Sequence, residues 1–140
     1  MTKECSVRIE GHKDAQIIES TARYHKKDGR NYVFFEAQTE GIPERFSLKF
    51  DEHSLDYSRK GVIKSLVSLQ EGVATSTQYV TPYGEFEVGF FTTSYEFDEN
   101  EDCIVIKAEY EMTLNGQPHE AGRILILLRS LFRQADGHLK

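Results

Sequence analysis

The sequence predicts an all-β fold, a closed antiparallel meander barrel of the calycin or lipocalin-like kind with about 8–10 strands. Three observations predict it. Short segments alternate apolar and polar residues with a period of two, turn residues interrupt them about every ten positions, and helical periodicity is largely missing.

Val7 and Ile9 mark the first strand. Residues 17–26 form the second, and Asp28-Gly29 turns it into a third at residues 31–38. Phe46, Leu48 and Phe50 then alternate with Arg45, Ser47 and Lys49, so the fourth strand has one dry and one wet side. A turn at Asp51-Glu52-His53 leads to residues 55–59, Lys60-Gly61 to residues 62–69, and Glu71-Gly72 to residues 73–80. Thr81-Pro82-Tyr83-Gly84 carries Pro and Gly where a type I turn accepts them best, and Phe86, Val88, Phe90 and Thr92 follow on one face. The cleanest alternation comes next: Ile104, Ile106, Ala108, Tyr110, Met112 and Leu114 share a face opposite Lys107, Glu109 and Glu111. Asn115-Gly116 suits a two-residue type I′ hairpin, because both residues tolerate positive φ, and residues 122–129 return. Hairpins in unbroken succession favour a meander over a Greek-key sandwich, which needs longer connections, and so many twisted strands avoid exposed edges most simply by closing. A single domain is expected over residues 1–140, with the barrel at about 5–130 and a tail at 131–140 that either frays or forms a short helix.

Composition narrows the function. A net charge of −6 and a pI near 5.4 disfavour a phosphate backbone, so no nucleic-acid partner is expected. No apolar run approaches the ~20 residues of a membrane helix, and the charged opening Met1-Thr2-Lys3-Glu4 has no leader-like hydrophobic stretch. No membrane association and a cytoplasmic location are the expectation, and Cys5 and Cys103 then read as free thiols. Catalytic, phosphate-binding and zinc spacings are missing. The five histidines lie singly at turns, and the acidic run Asp98-Glu99-Asn100-Glu101-Asp102 lacks the EF-hand pattern and reads as a solvated loop. No cofactor and no metal are expected.

Two strands, residues 17–26 and 73–81, are unusual in having no strongly apolar face. One side of each must face inward, which implies a partly polar lumen. Alternation from Leu55 puts Tyr57 and Arg59 on one face; if it points inward, the guanidinium needs an anion, a carboxylate or ordered water to satisfy it. Tyr57, Arg59, Tyr79 and Tyr110 are the lining residues expected to bind a ligand. The strand Ile124-Leu125-Ile126-Leu127-Leu128 is apolar on both faces, so something covers its outside, either the tail through Leu131 and Phe132 or a second subunit in a homodimer.

Arg59-Lys60-Gly61, Gly72, Tyr79-Val80-Thr81-Pro82-Tyr83-Gly84 and Tyr110 before the last hairpin resemble the YwiB-like family of small bacterial proteins, over residues 7–128. The resemblance implies a calycin-like β-barrel and no activity, since the function of that family is uncharacterised, and it transfers no functional residue. The chain departs from the familiar lipid carriers. It has no tryptophan for the lipocalin Gly-x-Trp, and residues 11–14 leave no room for paired lid helices.

The expected function is a non-enzymatic binding module that holds a small ligand, an anion among the candidates, in a partly polar barrel. The alternative is a protein-interaction or scaffolding module acting through its outer surface. An enzyme ranks third, with Glu19 and Glu36 as the acid–base candidates.

Overall fold

The computed structural model describes residues 3–11, 17–39 and 41–130, and every regular element in it is a strand. In chain order these are β1 (Lys3–Gly11), β2 (Ile17–Lys27), β3 (Arg30–Thr39), β4 (Ile42–Phe50), β5 (Ser54–Lys60), β6 (Ser65–Gln70), β7 (Ala74–Thr81), β8 (Gly84–Glu99), β9 (Cys103–Leu114) and β10 (Gln117–Ser130). Expectations for the tail at 131–140, including its docking through Leu131 and Phe132, and for His12 and His138 lie outside the described residues.

All ten strands form one antiparallel sheet in the order β6-β5-β4-β3-β2-β1-β10-β9-β8-β7. The expected meander is therefore present, wound so that the first strand pairs with the last: Val7 faces Leu128 and Ile9 faces Ile126. What the ladder leaves open is the seam between β6 and β7, and isolated bridges at Lys64–Val80 and Glu71–Thr92 nearly close it. Lys64 and Val80 exchange backbone hydrogen bonds of 2.9 and 3.0 Å, and the Gly72 N–H donates to the Thr92 carbonyl at 2.8 Å. Side chains help: the Thr75 hydroxyl donates across the seam to the Ser68 carbonyl at 2.7 Å. Part of the hydroxyl richness of β7 thus serves closure.

The turns follow from local chemistry. Asp28 and Gly29 have φ of 53° and 78°, Asn115 and Gly116 51° and 82°, the left-handed pairs that a type I′ hairpin demands. Several elements differ in extent from the sequence reading; β10, for one, starts at Gln117 and not at residue 122. β6 starts at Ser65, not at residue 62, because Val62 and Ile63 belong to the connection. β8 continues to Glu99 through a bulge between Thr92 and Ser94. That extra residue flips the phase, so the inward side passes from Val88, Phe90 and Thr92 to Tyr95 and Phe97.

The buried core lies along these inward faces, with Val33, Leu48, Leu55, Ile106 and Ile126 fully enclosed. Polar ties cross the end that carries the β2–β3, β4–β5 and β8–β9 turns. The Tyr95 hydroxyl lies 2.9 Å from both the Asp51 and Ser54 carbonyls, so one phenol bridges β8 to the β4–β5 turn. The Tyr24 hydroxyl donates to Asn31 Oδ1, and Asn31 Nδ2 donates to the Phe50 carbonyl. The other end keeps a cavity.

Tyr95→Phe keeps the ring and removes this tie. The expected loss is about 1 kcal/mol, the net worth of one intramolecular hydrogen bond, read as a lower urea midpoint with unchanged slope.

Candidate functional site

The four residues singled out from sequence line a single cavity of about 390 Å³ at the end of the barrel away from the β4–β5 and β8–β9 turns: Tyr57 and Arg59 from β5, Tyr79 from β7 and Tyr110 from β9. Strand phase brings them together. Tyr57 sits opposite Leu48 on β4, Tyr79 opposite Phe86 on β8, and Tyr110 opposite Gly122 on β10, so all of them project to the core side. Ile9, Leu69, Phe90 and Ile124 supply an apolar floor, and His119, Glu120 and Arg123 from the start of β10 form the rim.

Arg59 shares a face with Leu55 and Tyr57, that face points inward, and of the three partners an inward Arg59 required it has found a carboxylate. Glu44 on β4 accepts from Arg59 Nε at 2.7 Å and from Arg59 Nη2 at 2.8 Å, a bidentate pair. The Glu44 side chain is wholly buried, that of Arg59 is 18% exposed, and the guanidinium also lies 5.5 Å from the centroid of the Phe46 ring. Phe46 stacks on Phe35 at 4.7 Å and on Tyr57 at 6.3 Å, so the ion pair rests against an aromatic row.

Sequence reasoning missed Glu44, although its signal was available. The phase that turns Phe46, Leu48 and Phe50 inward turns Glu44 inward too. It missed two glycines as well. A Cβ on Gly61 would come within 2.5 Å of Glu44 Cγ, so the Arg59-Lys60-Gly61 segment needs a glycine where the buried carboxylate passes. A Cβ on Gly122 would stand 2.8 Å from Tyr110 Cε1, so the Tyr110 ring lies flat over the β10 backbone; Phe90 meets the same ring edge-on at 5.2 Å.

Burial dominates the electrostatics. It pushes the Tyr57 phenol up to about 12, with Arg59 opposing and Tyr79 and Glu44 adding to the rise. Tyr79 and Tyr110 are also raised by burial, Tyr79 against a hydrogen bond from Ser65, and Arg59 is held further up by its hydrogen bonds to Glu44. At neutral pH the lining is therefore three neutral phenols beside an internally compensated ion pair. Such a surface donates and accepts hydrogen bonds and offers π faces. The carboxylates named as acid–base candidates are elsewhere: Glu19 is exposed and pairs with Arg8 at 3.7 Å, and Glu36 is exposed on the outer wall.

The remaining sequence features resolve simply. Of the acidic run, Asp98 and Glu99 end β8 and Asn100-Glu101-Asp102 form the β8–β9 turn, held by Asn100 Oδ1, which accepts from the Asp102 and Cys103 N–H groups. Cys5 and Cys103 are free thiols on β1 and β9, strands separated by β10, and burial raises Cys5 to about 11. Among the described residues no helix is long and apolar enough to cross a membrane.

The family described as "Domain of unknown function (DUF1934)" matches residues 2–126. The chain belongs to the DUF1934 family. Its fold is similar to that of the ywiB protein from Bacillus subtilis, known from a crystal structure, with a TM-score of 0.75 at 19% identity over 92% of each chain. At that identity the likeness is one of fold, and together with the family match it bears out the YwiB-like resemblance read from the turn motifs. No curated protein matches this DUF1934 chain in sequence.

Two outcomes test the site's energetics. Glu44→Ala strands a guanidinium inside the barrel and is expected to cost about 3 kcal/mol in urea unfolding, whereas Glu44→Leu combined with Arg59→Met, which removes both charges, recovers most of that loss. The raised phenols predict alkaline weakening. Each has a folded-state pKa above its unfolded value, so its stabilisation is complete below pH ~10 and is lost as pH climbs toward the folded value. Urea midpoints should fall from pH ~10 upward, and Tyr57→Phe should make that fall shallower.

Proposed function

We propose that this DUF1934 protein is a non-enzymatic, cytoplasmic binding module that takes a small molecule into the cavity lined by Tyr57, Arg59, Tyr79 and Tyr110. The observation that carries the reading is their convergence over an apolar floor in a space of about 390 Å³, within the usual size of a small-molecule site. A ligand suited to this lining has an apolar body directed at Ile9, Phe90 and Ile124 and a hydrogen-bonding head among the phenols.

The ligand's charge follows from Glu44. An Arg59 without a carboxylate would call for an anion; paired as it is, it makes a negative charge unnecessary, and a neutral head fits best. An anionic head is the second reading, favoured by Arg59 and Arg123 lining the same cavity. An outer-surface role, including a homodimer through Ile124-Leu125-Ile126-Leu127-Leu128, rests on Leu125 and Leu127. Both point outward and are already half-buried, so they leave less apolar surface for a partner than the doubly apolar sequence suggests.

A small-molecule library screened by ligand-observed NMR tests the proposal. At least one compound is expected to bind and, at a hundred times its Kd, to raise stability by about 2.7 kcal/mol. Met112→Trp, which fills the cavity from β9, should abolish that binding. A screen with no binder, or binders that Met112→Trp holds equally well, overturns the reading, and a preference for carboxylates over their neutral amides selects the anionic version.

A further inference from the structure

We propose that the cleft between β2 and β3 is a strand-addition site for an extended acidic peptide of a partner protein. β2 and β3 pair only from Arg23 to Lys27 against Arg30 to Phe34. Both strands continue beyond that point, β2 back to Ile17 and β3 on to Thr39, and both stay laddered on their far sides, β2 to β1 and β3 to β4. Along residues 17–22 and 35–39 the two edges that face each other have no strand partner among the described residues.

Alternate residues of a strand turn their N–H and C=O groups toward the neighbouring strand, so each bare edge presents a donor–acceptor pair about every 6.8 Å. Edges of this kind are templates for another chain, and only an extended polypeptide has groups at the matching spacing on both of its sides. The distinguishing feature is that two such edges flank one opening, which gives an inserted strand partners on its left and right at once.

The side chains fit the same occupant. The cleft has a volume of about 650 Å³, and the core rings Phe35 and Phe46 stand behind it as part of its lining. The β2 residues that face inward along it, Ser20 and Ala22, are small, so the inward side of an added strand meets no bulky β2 side chain there. On the outside Arg23, Arg45 and Lys60 outnumber Glu4 and Glu36, a local reversal in a chain of net charge −6, and Phe34 is 39% exposed beside them. Alternating apolar and acidic residues over five or six positions would satisfy both faces, the apolar ones toward Phe35 and Phe46 and the acidic ones toward the three cations.

The cleft is distinct from the central cavity. Phe46 lines the cleft and stacks on Tyr57, which lines the cavity, so the aromatic row stands between them.

The probe is a displayed library of random hexapeptides selected against the whole protein, followed by synthesis of the strongest binder. Enriched sequences are expected to alternate acidic and apolar residues, and the bound peptide to slow amide hydrogen exchange in residues 17–22 and 35–39. N-methylation of alternate peptide nitrogens should weaken binding by about tenfold or more, as should Arg45→Glu combined with Lys60→Glu, two exposed changes that leave the core intact. Met112→Trp should bind the peptide as the natural chain does, which separates this site from the cavity. No enrichment, protection confined to other segments, or full binding of the N-methylated peptide overturns the proposal.

Discussion

A β-strand cannot leave both of its edges bare, and most of this architecture follows from that constraint. Ten strands laid side by side have two outer edges, and the chain resolves them by curling until β6 and β7 meet. The pairing at that seam is sparse, two isolated bridges reinforced by the Thr75 hydroxyl, whereas β1 and β10 are laddered from Gly11 to Cys5. Curvature then decides everything inside. It turns alternate residues of every strand toward a common axis and leaves space at one end where Tyr57, Arg59, Tyr79 and Tyr110 meet.

The strands were legible because period-two alternation and turn chemistry agree along most of the chain. Asn115-Gly116 and Asp28-Gly29 announced hairpins that the left-handed backbone angles realise. Where the reading stopped short, the cause is local. Past Thr92 the bulge shifts β8 by one residue, so Tyr95 and Phe97 hold the core side at odd positions after Val88, Phe90 and Thr92 have held it at even ones. A fixed period cannot follow that change. The unpaired stretch between β2 and β3 was likewise invisible, because the sequence of each strand carries no sign of how far its partner stays alongside.

The site was legible in part. Alternation within one strand put Arg59 on the face of Leu55 and Tyr57, but a partner on another strand requires the register between the two, and Glu44 lies diagonally across from Arg59, beside the position that Gly61 leaves vacant. The same limit hid the fit of Tyr110 over Gly122: both residues are prominent in the sequence, yet only the β9–β10 register sets one upon the other. Periodicity within a strand is written in the chain, whereas adjacency between strands is settled by turn geometry and bulges acting at a distance.

The pairing of the first strand with the last carries a consequence for how the molecule comes into being. Val7 meets Leu128, more than a hundred positions later, so during synthesis β1 leaves the ribosome long before β10 exists. Through that interval Cys5, Val7 and Ile9 have only β2 on one side, and their apolar face waits in the open. Hairpins such as β3–β4 and β8–β9 need only nearby residues and can form early, while the ring itself is completed last, by the residues translated last. A nascent chain of this kind gains from a holding chaperone, and a truncation that removes β10 takes away the neighbour on which the opening strand relies.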